Sequence, residues 1–93
     1  MDTTRRAYVL IELEPGKEKE FGSALSDILE TTKGISKVDF VYGAFDIVMA
    51  LEGETKEVED AILKVRTLSF VHKTETLLCF EKLLWEDLGG RLT

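Results

Sequence analysis

"FVYGAFDIVMALEG", residues 40–53, decides how the rest of the chain is read. Two apolar runs flank Gly43-Ala44-Phe45, and period-two alternation holds on both sides. Before the loop, Val38, Phe40 and Tyr42 share a face, with Asp39 and Val41 on the other. After it, Ile47, Met49 and Leu51 point one way, Val48 and Ala50 the other. Gly43 supplies a backbone conformation that other residues resist. The stretch therefore reads as a tight hairpin joining strands at 35–42 and 46–52, with Gly53 ending the second. Asp46 opens that second strand with a carboxylate, which a strand entering a core tolerates only if something pairs with it.

Upstream, AYVLIEL at 7–13 is β-branched and aromatic and is stopped by Glu14-Pro15-Gly16, so it reads as the first strand. Residues 17–33 change period: Phe21, Ala24, Leu25, Ile28 and Leu29 form one helical stripe. Glu18 and Glu20 favour the start of that helix, and Lys33-Gly34 reads as its end. Gly22 weakens its first turns and fits a close approach of helix to sheet. Downstream, Thr55 reads as the N-cap of a second helix over about 56–67, with Val58, Ala61, Ile62 and Val65 as its stripe. A last strand spans about 70–83, with Thr74, Thr76, Leu78 and Phe80 on one side. The terminal LWEDLGGRLT has room for one helical turn.

The order is β-α-β-β-α-β, with a faint internal echo between IELEPG at 11–16 and MALEG at 49–53. Two such halves predict an α+β, ferredoxin-like fold: a four-stranded antiparallel sheet with two helices on one face, strands one and three central. One domain covers 7–84, between a tail at 1–6 and another at 85–93. Two helices cover only one face, yet Tyr8, Leu10, Val48 and Ala50 make the other apolar too. Burying side chains of this size is worth ~1.5–3 kcal/mol each, so the pattern predicts a homodimer, sheet against sheet. The alternative is a face shielded by the C-terminal tail.

Composition narrows function. The chain has 93 residues and a net charge of −6, without the clustered basic face that direct nucleic-acid binding needs. One cysteine and one histidine leave no disulfide within the chain, no zinc-ligand spacing and no nucleophilic triad. His72 reads as a solvated strand-start residue, and Cys79, in an apolar run, as inert core. EGETKEVED, 52–60, lacks the spacing of a calcium loop and reads as a helix start. No stretch suits a bilayer span or signal peptide, so the expectation is a soluble, cytoplasmic protein with no metal, no cofactor and no membrane partner.

AYVLIELEPGKEKEF, GISKVDFVYGAFDIVMALEG and FVHKTETLL together resemble the effector-binding (RAM) domain of the Lrp/AsnC family of transcription regulators, over about Ala7 to Leu84. The resemblance is carried most by G-x-x-D at Gly43–Asp46 and T-x-T at Thr74–Thr76. It implies dimers, rings of eight built from dimers, and a small effector, usually an amino acid, bound between dimers near those two motifs. The chain departs from the family in having Leu68-Ser69-Phe70 where a glycine usually precedes the last strand. Only six residues precede the first strand, so no helix-turn-helix is read, and DNA contact would come from a full-length Lrp/AsnC-type partner.

Each candidate ligand-binding residue keeps two readings. Asp46 either accepts a loop amide or pairs with the ammonium of a bound amino acid. Gly43 meets a backbone requirement or offers its amide to a carboxylate. Thr74 and Thr76 show ordinary β-propensity or pair their hydroxyls on a carboxylate. Phe45 is an intersubunit plug or a lid. The expectation is a non-catalytic amino-acid-binding module acting in transcription regulation through oligomer assembly. The rivals are a small dimeric ferredoxin-like enzyme of the cofactor-free oxygenase type and a purely structural oligomerisation module.

Overall fold

Ten residues, Thr4–Leu13, form β1 in the computed structural model, which describes residues 4–80. The strand begins three residues before the apolar run. Thr4, Arg5 and Arg6 pair with Glu54, Gly53 and Glu52 of β3, Ile47–Glu54. Backbone pairing needs no apolar side chain, so hydropathy does not report it. For the same reason Gly53 lies inside β3 rather than ending it, and residues 4–6 belong to the sheet and not to a tail.

The remaining elements are α1 (Glu18–Thr31), β2 (Ile35–Phe40), α2 (Thr55–Arg66) and β4 (Val71–Cys79). The sheet runs β2-β3-β1-β4, antiparallel throughout, with β1 and β3 central. This is the ferredoxin-like arrangement expected from the β-α-β-β-α-β order.

Alternation along β1 divides its residues between two environments. Ala7, Val9, Ile11 and Leu13 lie beneath the helices and are buried, facing Ile47, Met49 and Leu51 from β3 and Val58, Ala61 and Val65 from α2. Phe21 is the anchor of α1. Its ring meets Phe40 and Phe70 edge-on, with centroids 6.3 and 6.2 Å away. No polar or charged residue is buried among the described residues.

Several local expectations need correction. Leu29 is 47% exposed, because α1 reaches the core through Phe21 and Ile28 and turns Leu29 outward. Nothing lies within 4 Å of a Cβ added at Gly22, so it marks no close approach. The cap of α2 is Glu54 rather than Thr55: the Glu57 carboxylate accepts from the Glu54 N–H at 3.0 Å, within a reciprocal capping box. α1 has no basic residue in its own last turn. Lys64 of α2 supplies the charge instead, donating to the Thr31 carbonyl at 3.1 Å and to Thr32 Oγ1 at 2.8 Å. Cys79 is half-buried and pairs with Arg6, which sets it on the open side of the sheet and not in the core. β4 runs to Cys79, and residues 81–83 of the expected strand, like the turn expected in 84–93, lie outside the described residues.

The open side carries Tyr8 and Leu10 at its centre, flanked by Val48 and Ala50 of β3 and Leu77 of β4. Charges surround them: Arg6 and Glu52 form an ion pair at 2.7 Å, and Lys37 meets Asp39 at 3.6 Å. The Glu52 hydrogen bond raises the pKa of Arg6. His72 is largely exposed, 3.9 Å from Glu12 and 3.8 Å from Glu14.

Candidate functional site

The ladder between β1 and β3 ends at Ile11 and Ile47, while β1 runs on to Leu13 against β4 with a register shift between Glu12 and Leu13. The Leu13 N–H then turns to Asp46, whose Oδ2 accepts it at 2.8 Å. The backbone of Asp46 completes the tie. Its N–H donates to the Ile11 carbonyl, and its carbonyl accepts from the Val41 N–H, each at 2.9 Å. Asp46 thus closes the loop between β2 and β3 and fastens it to the exit of β1. A charge-assisted bond of this kind is worth about 1.5–3 kcal/mol. The carboxylate expected to open the strand lies one residue before β3 and has a partner within the chain, and its other oxygen, Oδ1, takes no bond from a described residue.

Gly43 sits at the loop tip with φ +141°, and a Cβ there would touch nothing within 4 Å. Glycine is required by the backbone angle alone. Phe45 lies near Lys73 of β4, whose Nζ is 5.8 Å from the ring centroid. That contact draws Phe45 across the end of β1.

Thr74 and Thr76 pair with Ile11 and Val9, so both share the helix-side direction on the edge strand. Thr74 is half-buried and Thr76 exposed. β1 separates them from β3, two strand spacings, or about 9–10 Å. Thr76 instead borders a separate hollow of about 170 Å³ with Arg5, Val58, Ile62 and Leu78. Gly43, Phe45 and Asp46 come together in one loop, and the two threonines stand apart from it within a single chain.

The loop borders a hollow of about 320 Å³ lined by Glu18, Phe40, Val41, Tyr42 and Asp46. Glu18, Phe40 and Tyr42 were not singled out by the sequence. Glu18 reads as a helix-start acid, and Tyr42 as a strand residue. The one available signal was exposure: an aromatic run beside a glycine turn, on an edge strand, has nothing to bury it. Among the described residues no group of three or more His, Cys, Asp or Glu could hold a metal ion, and no helix is long and apolar enough to cross a membrane.

An antiparallel sheet with both helices on one face, an apolar second face and a hairpin loop tied to the central strand defines a ferredoxin-like domain. Among solved structures it is similar to TTHA0845 from Thermus thermophilus, with a TM-score of 0.71 and 26% identity over 86% of this chain and 98% of that one. E. coli AsnC matches with a TM-score of 0.65 and 20% identity, over 88% of this chain and 54% of that one. NMB0573 of Neisseria meningitidis, a transcriptional regulator solved as a complex with L-Met, matches at 0.66 and 7% identity, over 86% and 52%. The chain thus spans nearly all of the first and about half of each regulator. No protein-family model matches it, and no curated protein does. The fold is the one found in AsnC-type regulators, the family that the sequence resembles.

Proposed function

We propose that the chain is an Lrp/AsnC-type module that binds a small effector, an amino acid, and acts in transcription regulation by assembling with itself and with a partner that contacts DNA. The open face of the sheet carries this reading. Tyr8, Leu10, Val48, Ala50 and Leu77 form an apolar centre with a charged rim, the composition of a surface that a second surface covers. The amino-acid part draws support from the shared fold with a regulator solved with L-Met. Gly43, Phe45 and Asp46, with Thr74 and Thr76 from a neighbouring subunit, are the proposed ligand contacts. A dimer, or a ring of dimers, would bring the two motifs closer than one chain does.

The space between sheet and helices is filled by Val9, Ile11, Phe21, Met49, Leu51 and Val65, all fully buried, which supports a non-catalytic role. A net charge of −6 supports delegating DNA contact to the partner. Cys79, which forms no disulfide, fits a reducing, cytoplasmic setting.

Two measurements test the proposal. Light scattering at micromolar concentration should return at least a dimer, and a mass near 10.5 kDa would overturn the assembly claim. A thermal-shift screen of the twenty amino acids should find at least one that raises the midpoint, because a ligand that binds only the folded form stabilises it. Silence from all twenty would overturn the effector claim.

A further inference from the structure

The hollow beside the hairpin loop has a definite chemistry, and it names the class of ligand. This inference rests on the reading above that the loop faces an effector. Three independent features meet there. The first is shape: about 320 Å³ lies between the start of α1 and the end of β2, at the small end of ligand-sized sites. The second is aromatic surface. The Tyr42 side chain is fully exposed, at 106%, and Phe40 is 58% exposed, although both line this hollow. The third is charge. Among the described residues the titratable lining groups are Glu18, Asp46 and the Tyr42 phenol, and no described lysine, arginine or histidine lines it. Of the two lysines that flank Glu18 in sequence, Lys17 is turned to Glu20 at 3.3 Å, and neither it nor Lys19 lines the hollow.

Two carboxylates and an exposed ring lining one hollow suit one kind of guest. A cation over the face of an aromatic ring is attracted by its quadrupole, and the carboxylates add ordinary ion pairing. An acidic ligand would meet two like charges with no counter-cation in the lining. A neutral zwitterion would bring no net positive charge to offset them. We propose that this hollow takes a small organic cation, an ammonium or guanidinium carried on a short apolar stem, with the charge between Glu18 and Asp46 Oδ1 and the stem against Phe40 and Tyr42. Basic amino acids and short diamines both carry that chemistry.

Calorimetry on the full chain with L-arginine, L-lysine, 1,5-diaminopentane, L-leucine and L-glutamate tests the assignment. L-Arginine or L-lysine should bind, and binding should weaken as salt rises from about 50 to about 300 mM, because screening shortens the reach of surface charge. Binding of the diamine alone assigns the site to a free amine, and binding of the basic amino acids alone shows that an α-carboxylate contact is needed; either outcome supports the cation. Tyr42→Ala should lower the affinity on the order of tenfold, and Tyr42→Phe, which keeps the ring, should restore it. Glu18→Gln should lower it by a similar factor while circular dichroism stays unchanged. L-Leucine or L-glutamate binding at least as tightly as L-arginine would overturn the cation assignment and leave the effector reading standing. Basic-ligand binding unmoved by both Tyr42→Ala and Glu18→Gln would overturn the location. Silence from every amino acid would remove the effector reading itself.

Discussion

The two faces of β1 are built from the same ten residues and meet different fates. On the helix side Ala7, Val9, Ile11 and Leu13 are sealed by α1 and α2, and that core is complete within one chain. On the open side Tyr8 and Leu10 are as apolar as their neighbours, yet no described element covers them. The difference lies in the count of helices: two can roof one side of a four-stranded sheet and not both. A sequence that is apolar on both faces of its central strands thus leaves one of them uncovered by its own helices.

The sealed face should break hardest. Phe21 is fully buried and holds α1 to the sheet through Phe40 and Phe70, so Phe21→Ala should cost about 3–5 kcal/mol. Urea titration followed by circular dichroism should show the midpoint fall with little change in slope. A loss below about 1 kcal/mol would mean that α1 is held by something other than this ring.

The open face should break differently. Leu10→Lys should leave the monomer folded, because the new side chain can reach water when no second surface is present. It should instead remove the dimer, since an unpaired charge in a covered contact is strongly unfavourable. Light scattering of the variant should approach 10.5 kDa, and its thermal midpoint should lose the dependence on protein concentration that a dimer shows. A variant that stays dimeric would move the interface off this face.

Much of this contrast was legible beforehand, and the reasons are specific. Ile47, Met49 and Leu51 declare a buried face by period two, and Phe21 and Ile28 anchor a helix by their spacing. What escaped was whatever depends on long-range contact. Thr4–Arg6 enter the sheet through backbone pairing, which side-chain pattern does not encode. Lys64 closes the end of a helix 32 residues away from it, and no local rule reaches that far. Glu18 and Tyr42 share a hollow only because Asp46 ties the loop beside the exit of β1. Asp46 itself stood out as a carboxylate at a strand start. Its partner, Leu13 N–H, is available because pairing with β3 stops at Ile11, two residues before β1 ends, which the sequence does not show.

Asp46 joins the comparison at the rim where the two faces meet. Asp46→Ala leaves the part-buried Leu13 N–H without its acceptor and should cost about 1–3 kcal/mol. Asp46→Asn keeps an acceptor and should recover most of that stability. If Oδ1 also pairs with a ligand, Asn should still lower the affinity of the best amino acid roughly ten- to a hundred-fold. Unfolding and calorimetry on the two variants separate these roles. Equal affinities for Asn and native protein would make Asp46 a hairpin device and turn attention to Thr74 and Thr76, where Thr→Val removes each hydroxyl and keeps the shape.

The smallest effect concerns the roof of the sealed face. Lys64 reaches from α2 to the C-terminal end of α1, bonding the Thr31 carbonyl and Thr32 Oγ1. It satisfies an orphan carbonyl and places a positive charge at the negative end of the helix dipole. Both groups are exposed, so water and salt compete with them, and Lys64→Met should cost only about 0.3–1 kcal/mol. The substitution keeps the length and helix propensity of the side chain, so the loss isolates the inter-helix bond. Hydrogen exchange should quicken in the last turn of α1 and stay unchanged in β1 and β3, because the bond lost joins only the two helices. Faster exchange in the central strands as well would show that the two faces are coupled, and that the open side is held flat by the helices on the other.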